Sequence, residues 1–175
     1  MEIIRYIRER QSIIAIGVII IIVFIVYSNS INNGFTNRDD TENVIRNKDI
    51  REISYITVKN FFTTSYLGMY SPLTMMSYSI DYKIGGLNPH VYHLINLLLH
   101  LVNCALVYIL IIGLTGNRIV AGFSSLMFGI HPMNVDGVSS ISCRGSLLYT
   151  LFYLMSLIAY LGYIKRGLNS RLREN

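Results

Sequence analysis

Four groups of residues in this 175-residue chain have types and spacing that could do chemistry. The first is the adjacent acid pair Asp39-Asp40. Such a pair can act as a general base, contribute to a metal site, or stand as plain solvated charge. The second is His131-Pro132 with Asp136 five residues on. A histidine at the mouth of an apolar segment can carry a proton or face a phosphate, or it can close a helix end onto its own loop. The third is Arg144, isolated between Cys143 and Gly145, which can hold a lipid phosphate or snorkel to a membrane surface. The fourth is the series His93, Asn96, His100 and Asn103, whose steps of 3, 4 and 3 put all four on one face of a helix. Its simplest use is hydrogen bonding between helices. Cys104 and Cys143 are too few for a disulfide framework, no Cys or His spacing suits a metal, and two adjacent acids do not make a metal site alone.

The elements that must position these residues are membrane elements. Hydrophobic residues are 52% of the chain and charged residues only 14%, against roughly 25% charged in soluble domains. That excludes an ordinary soluble domain and a disordered chain, and no nucleic-acid partner is expected. Ser12 to Tyr27 is uncharged and follows a basic arm, as in an uncleaved signal anchor, and the first span is placed at 11–28. The large outer loop, 29–89, is charged at first and then aromatic, and it ends in an amphipathic interface helix over Pro72 to Tyr82. A second span covers 90–113 and carries the polar stripe, which must face protein or water rather than lipid. A third, 118–132, is rich in small residues and crosses only if its helix runs past Pro132. A fourth covers 146–164 and leads into a basic tail, 165–175. The expected fold is therefore an all-α, polytopic transmembrane bundle of about four spans, with short interfacial helices in the outer loop.

Charge sets the orientation. With four spans, one side carries Arg5, Arg8, Arg10, Arg118, Lys165, Arg166, Arg171 and Arg173 against Glu2, Glu9 and Glu174. The other side balances seven basic residues with seven acidic ones, so the whole formal charge of +5 lies on the first. The positive-inside rule makes that side, with both termini, cytoplasmic. Asp39-Asp40, His131 to Asp136 and Arg144 then share the outer face.

Three stretches resemble the N-terminal part of the GT-C membrane glycosyltransferases, in particular the O-mannosyltransferase-like group of transmembrane and tetratricopeptide-repeat-containing proteins. They are NGFTNRDDTENVIRN, the run from NFFTTSYLGMYSPLTMMSYSIDYKIGG to LNPHVYHLINLLLHLVN, and FGIHPMNVDGVSSISCRGSLLYTLFYLMSLIAY. The resemblance implies transfer of a sugar from a polyprenyl-phosphate donor to a protein or glycan acceptor on the outer face, with membrane lipid around the site. It assigns the catalytic base to Asp39 or Asp40 and the donor phosphate to His131 and Arg144; Asp136 and His93 are candidates for a supporting role. It implies no cofactor besides the lipid-linked donor and leaves a metal requirement open. The membrane expected is the bacterial or archaeal cytoplasmic membrane, or the endoplasmic reticulum in a eukaryote. The family's pattern differs here at Arg38, Asn134, Asp136 and Ser146. Four spans are also fewer than such an enzyme has. A further C-terminal part of the same protein or a second membrane subunit is the expected complement. A non-catalytic scaffold derived from such an enzyme is the alternative.

Overall fold

The computed structural model describes residues 2–36 and 39–174, with side chains from Arg10 to Gly167. Arg38 and the charged side chains of the two terminal arms (Glu2, Arg5, Arg8, Glu9, Arg171, Arg173, Glu174) lie outside the described residues. The chain is an all-α membrane bundle. Helix α1 (Glu2–Tyr27) runs into a tight turn at Ser28–Asn32. The outer loop holds single turns at Thr41–Ile45 and Asp49–Arg51, then α2 (Tyr55–Thr63) and α3 (Pro72–Gly85). Then come α4 (Pro89–Thr115), α5 (Arg118–Ile130), the short α6 (Asn134–Ser139), a turn at Ile141–Cys143 and α7 (Arg144–Glu174).

Local chemistry fixes the boundaries. Asn88 accepts from the His90 amide ahead of Pro89, and Asn117 accepts from Ile119 and Val120 at the start of α5. Gly116, at φ 67°, closes α4 in the left-handed region where a side chain is strained. Among the described residues three stretches are long and apolar enough to cross a bilayer, Arg10–Asn32, Pro89–Thr115 and Ile141–Gly167. The condition for a third crossing at 118–132 is not met. Helix α5 stops at Ile130, before Pro132, because a proline cannot continue the hydrogen-bond ladder and bars the helical conformation just before it. Its 13 residues reach about 20 Å, short of the roughly 30 Å hydrocarbon core.

Helix α4 is the centre of the bundle and packs against α1, α5 and α7. Its buried apolar residues Leu97, Leu101, Cys104 and Tyr108 meet Ile19, Val23 and Tyr27 of α1, Ala121 of α5 and Leu147 of α7. A second core lies in the outer loop, where Val44, Ile50, Phe61 and Met75 pack with Tyr78, Tyr92 and Ile141. The loop is thus a folded cap on the bundle.

Close approach of α1 to α5 depends on Gly129. A Cβ there would lie 2.5 Å from Val23 Cγ2 and 3.1 Å from the Cys104 sulfur. Val23 is β-branched and cannot swing aside cheaply. Gly129→Ala is therefore expected to cost about 1–3 kcal/mol. Gly122→Ala has nothing within 4 Å of the added carbon and should leave stability unchanged or raise it by up to about 1 kcal/mol. Thermal unfolding in detergent, followed by labelling of the buried Cys104 thiol, reads both.

Candidate functional site

The acid pair is divided by the fold. Asp40 is fully buried. Its Oδ2 accepts from the Thr36 amide at 2.9 Å and the Thr36 hydroxyl at 2.8 Å. Its Oδ1 accepts from the Ser142 amide at 3.0 Å and from the Ser142 hydroxyl. Four donors leave it no lone pair aimed at solvent, so it fastens the outer loop to the start of α7. Asp39 is exposed and lines a cavity of about 790 Å³, here called the outer cavity, on the side of the bundle that carries the 29–89 loop. Pro132, Asp136, Ser142 and Cys143 form other parts of its wall.

Asp136 shares that wall with Asp39. Its Oδ2 accepts weakly from the Cys143 thiol at 3.5 Å. His131 is exposed on the same turn but does not line the cavity, and its Nδ1 accepts from the Met133 amide at 3.2 Å. The short turn is held by Asn134, whose amide donates to the Phe128 carbonyl at 2.6 Å and caps α5. Among the described residues no three His, Cys, Asp or Glu side chains are grouped to hold a metal.

Arg144, expected on a phosphate-facing rim, is instead fully enclosed, with no exposed surface. Its Nε donates to Asn96 Oδ1 at 2.7 Å and its Nη2 to the Tyr92 carbonyl at 2.8 Å. Its Nη1 donates to Ser77 Oγ at 3.3 Å and pairs with the Asp81 carboxylate. The Tyr78 ring centroid lies 4.8 Å from the guanidinium carbon, within cation–π range. In this arrangement the guanidinium is spent on the protein itself. Burial pushes the Asp81 carboxyl up to about 6, against the downward pull of Arg144.

The polar stripe of α4 serves mostly as an interhelical ladder. Asn96 donates to the Ser140 carbonyl at 2.9 Å, His100 Nε2 meets the Gly129 carbonyl at 2.9 Å, and Asn103 donates to the Leu147 carbonyl at 3.0 Å. His93 Nε2 lies 3.4 Å from the Gly34 carbonyl, below the outer loop, and its Nδ1 has no partner. It does not line the outer cavity. Asp81, Ser77 and Ser142 were missed in the sequence. The one signal for Asp81 is a lone carboxylate on an otherwise uncharged run of α3 from Pro72 to Tyr82, which must find a cation once that helix is buried.

No family model matches the chain, and no solved structure does. Curated relatives exist. The chain is 30% identical to protein O-mannosyl-transferase Tmtc1 of Drosophila melanogaster over 156 residues, which is 85% of this chain and 18% of that protein. It is 36% identical to protein O-mannosyl-transferase TMTC2 of Mus musculus over 58% of this chain and 12% of that one. It is 27% identical to protein O-mannosyl-transferase TMTC3 of Homo sapiens over 83% of this chain and 16% of that one. The resemblance seen in the residues therefore extends over most of this chain, which spans less than a fifth of the length of these relatives.

The buried pair gives a sharp expectation. Arg144→Met alone leaves the Asp81 carboxylate buried without a cation, and should cost about 3–5 kcal/mol. Adding Asp81→Leu removes that charge and should restore most of the loss. Thermal melts of the two single variants and the double variant in detergent give the cycle.

Proposed function

We propose, from the kinship of this chain with the protein O-mannosyl-transferases, that it forms the acceptor-side part of a membrane glycosyltransferase. That enzyme moves a hexose from a polyprenyl-phosphate donor to a hydroxyl on the outer face of the membrane. The names of these relatives, protein O-mannosyl-transferases, support a mannosyl transfer to protein. The observation that carries the reading is the split of the acid pair: Asp39 opens into the outer cavity while Asp40 is consumed by four donors.

In this reading Asp39 is the general base. The acceptor oxygen attacks the anomeric carbon as its proton passes to the Asp39 carboxylate. The bond from that carbon to the phosphate oxygen breaks, and the polyprenyl phosphate leaves with the electron pair. Among the described residues no Lys or Arg stands in the wall of the outer cavity, and Arg38, next to Asp39 in sequence, lies outside them. In this reading His131, on the adjoining turn, is the described group of this chain that helps steady the departing phosphate. A further part of the same protein or a second membrane subunit supplies the rest. Counted with the chain returning across the bundle through α5 and α6 between the spans α4 and α7, the charge asymmetry supports cytoplasmic termini and an outward-facing loop.

A scaffold role is the second reading, and one observation favours it. Arg144, the cation expected at the phosphate, is locked to Asp81 and Asn96.

In membranes that perform the transfer, Asp39→Asn is expected to lower the rate with a labelled polyprenyl-phosphate mannose by about 10²–10⁴-fold while the melting temperature holds. Asp40→Asn should instead lower stability by about 1–3 kcal/mol, because its charge-assisted bonds are weakened or reversed. Full transfer by the Asp39 variant would leave the scaffold reading standing.

A further inference from the structure

Another cavity, of about 420 Å³, lies in the folded cap between the turn at Asp49–Arg51 and the second half of α3. Arg51 and Glu52 line it from the turn and its exit, and Tyr82 and Lys83 line it from α3. The three charged residues are exposed. Among the described residues neither the Glu52 carboxylate nor the Lys83 ammonium has an ion-pair or hydrogen-bond partner. Arg51 commits only Nη2, which donates to the Ile45 carbonyl at 2.9 Å. Elsewhere in the cap opposite charges meet, as Arg46 and Glu42 do at 2.7 Å. Around this cavity two cations and a carboxylate stand unmatched.

The cavity sits where a lipid surface would reach. Ile53, in its wall, is 51% exposed, and Ile80 and Ile84, on either side of Lys83 in sequence, are 52% and 65% exposed. The exposed apolar row continues through Leu87 to Leu94, Leu98 and Val102 of α4, within a span. Water gives no reason to expose such a row, and lipid does. Lys83 thus stands at headgroup level, where the lipid-facing wall of the bundle meets the cap.

A ligand that answers these groups carries both signs of charge. A phosphodiester bears a single negative charge, which a guanidinium grips as a fork and an ammonium meets as a point charge. Glu52 repels a second negative charge, which counts against an acidic headgroup, and attracts a cation carried beyond the phosphate. The ammonium of an ethanolamine headgroup supplies that cation.

We propose that this cleft holds the headgroup of a zwitterionic phospholipid from the leaflet on the cap's side. Its phosphate lies on Arg51 and Lys83, its ammonium on Glu52, and its acyl chains run along Ile80 and Ile84. The bound lipid fixes the height of the cap against the bilayer. The site is independent of sugar transfer, since none of these residues lines the outer cavity.

Native mass spectrometry of the whole chain, delipidated in detergent and titrated with dioleoyl-phosphatidylethanolamine or dioleoyl-phosphatidylglycerol, reads the binding. The ethanolamine lipid is expected to bind about threefold more tightly than the glycerol lipid. Lys83→Gln should weaken it about threefold, and adding Arg51→Gln should bring the loss to about tenfold. Lys83 makes no bond within the fold, so its variant tests the cleft without disturbing the cap. Glu52→Gln should abolish the preference between the two lipids. Lys59→Gln, at an exposed cation of α2 outside the cleft, should change nothing. Equal binding of the two lipids, or a loss in Lys83→Gln no greater than in Lys59→Gln, would overturn the proposal. So would displacement of the lipid by O-phosphoethanolamine at matched concentration, which would make the ligand a soluble one.

Discussion

A guanidinium removed from water must be met by a full set of partners, and that requirement organises this molecule. Arg144 draws its partners from α3 (Ser77 and Asp81) and from α4 (Tyr92 and Asn96) while itself beginning α7. Three helices distant in sequence are thereby tied at one point. The tyrosine rings of Tyr78 and Tyr92 close around the same point. Tyr78 adds a bond from its hydroxyl to the Ile141 carbonyl at 2.8 Å, which pulls the turn before α7 into the cap. Such a pair is weak evidence for net stability, because desolvation offsets the attraction. Its partners lie on three helices, so the pair ties their positions to one another.

The two aspartates illustrate how a fold separates adjacent residues of one type. They begin one helical turn, so their side chains leave the axis about 100° apart. One direction leads inward to Ser142 and the other out to the cavity. The inward carboxylate sets where the outward one stands. Asp40 anchors the loop to the same turn that contributes Ser142 and Cys143 to the cavity wall.

Much of the architecture was legible because it is written in periodicity. The apolar runs, the small residues of α5 and the 3-4-3 polar stripe of α4 each place residues on a face, and buried faces follow. Turn chemistry at Asn88-Pro89 and Asn117 was equally local. The partners were not legible. Nothing near Arg144 in sequence announces Asp81, which lies 63 positions away, and an arginine at the head of a span reads as interfacial until its cage is seen. The pairing of Asp40 with Ser142 across 102 positions is hidden for the same reason. Composition exposes what a side chain needs, and only the tertiary fold shows which distant residue meets the need.

The shortness of α5 has a consequence for the bilayer. A helix of 13 residues that starts at one boundary ends roughly 10 Å short of the other. The chain then turns at His131-Pro132 into α6, which packs against α4, α5 and α7. Irregular backbone survives at membrane depth only against protein or in a wetted recess, and those three helices are what shelter this turn.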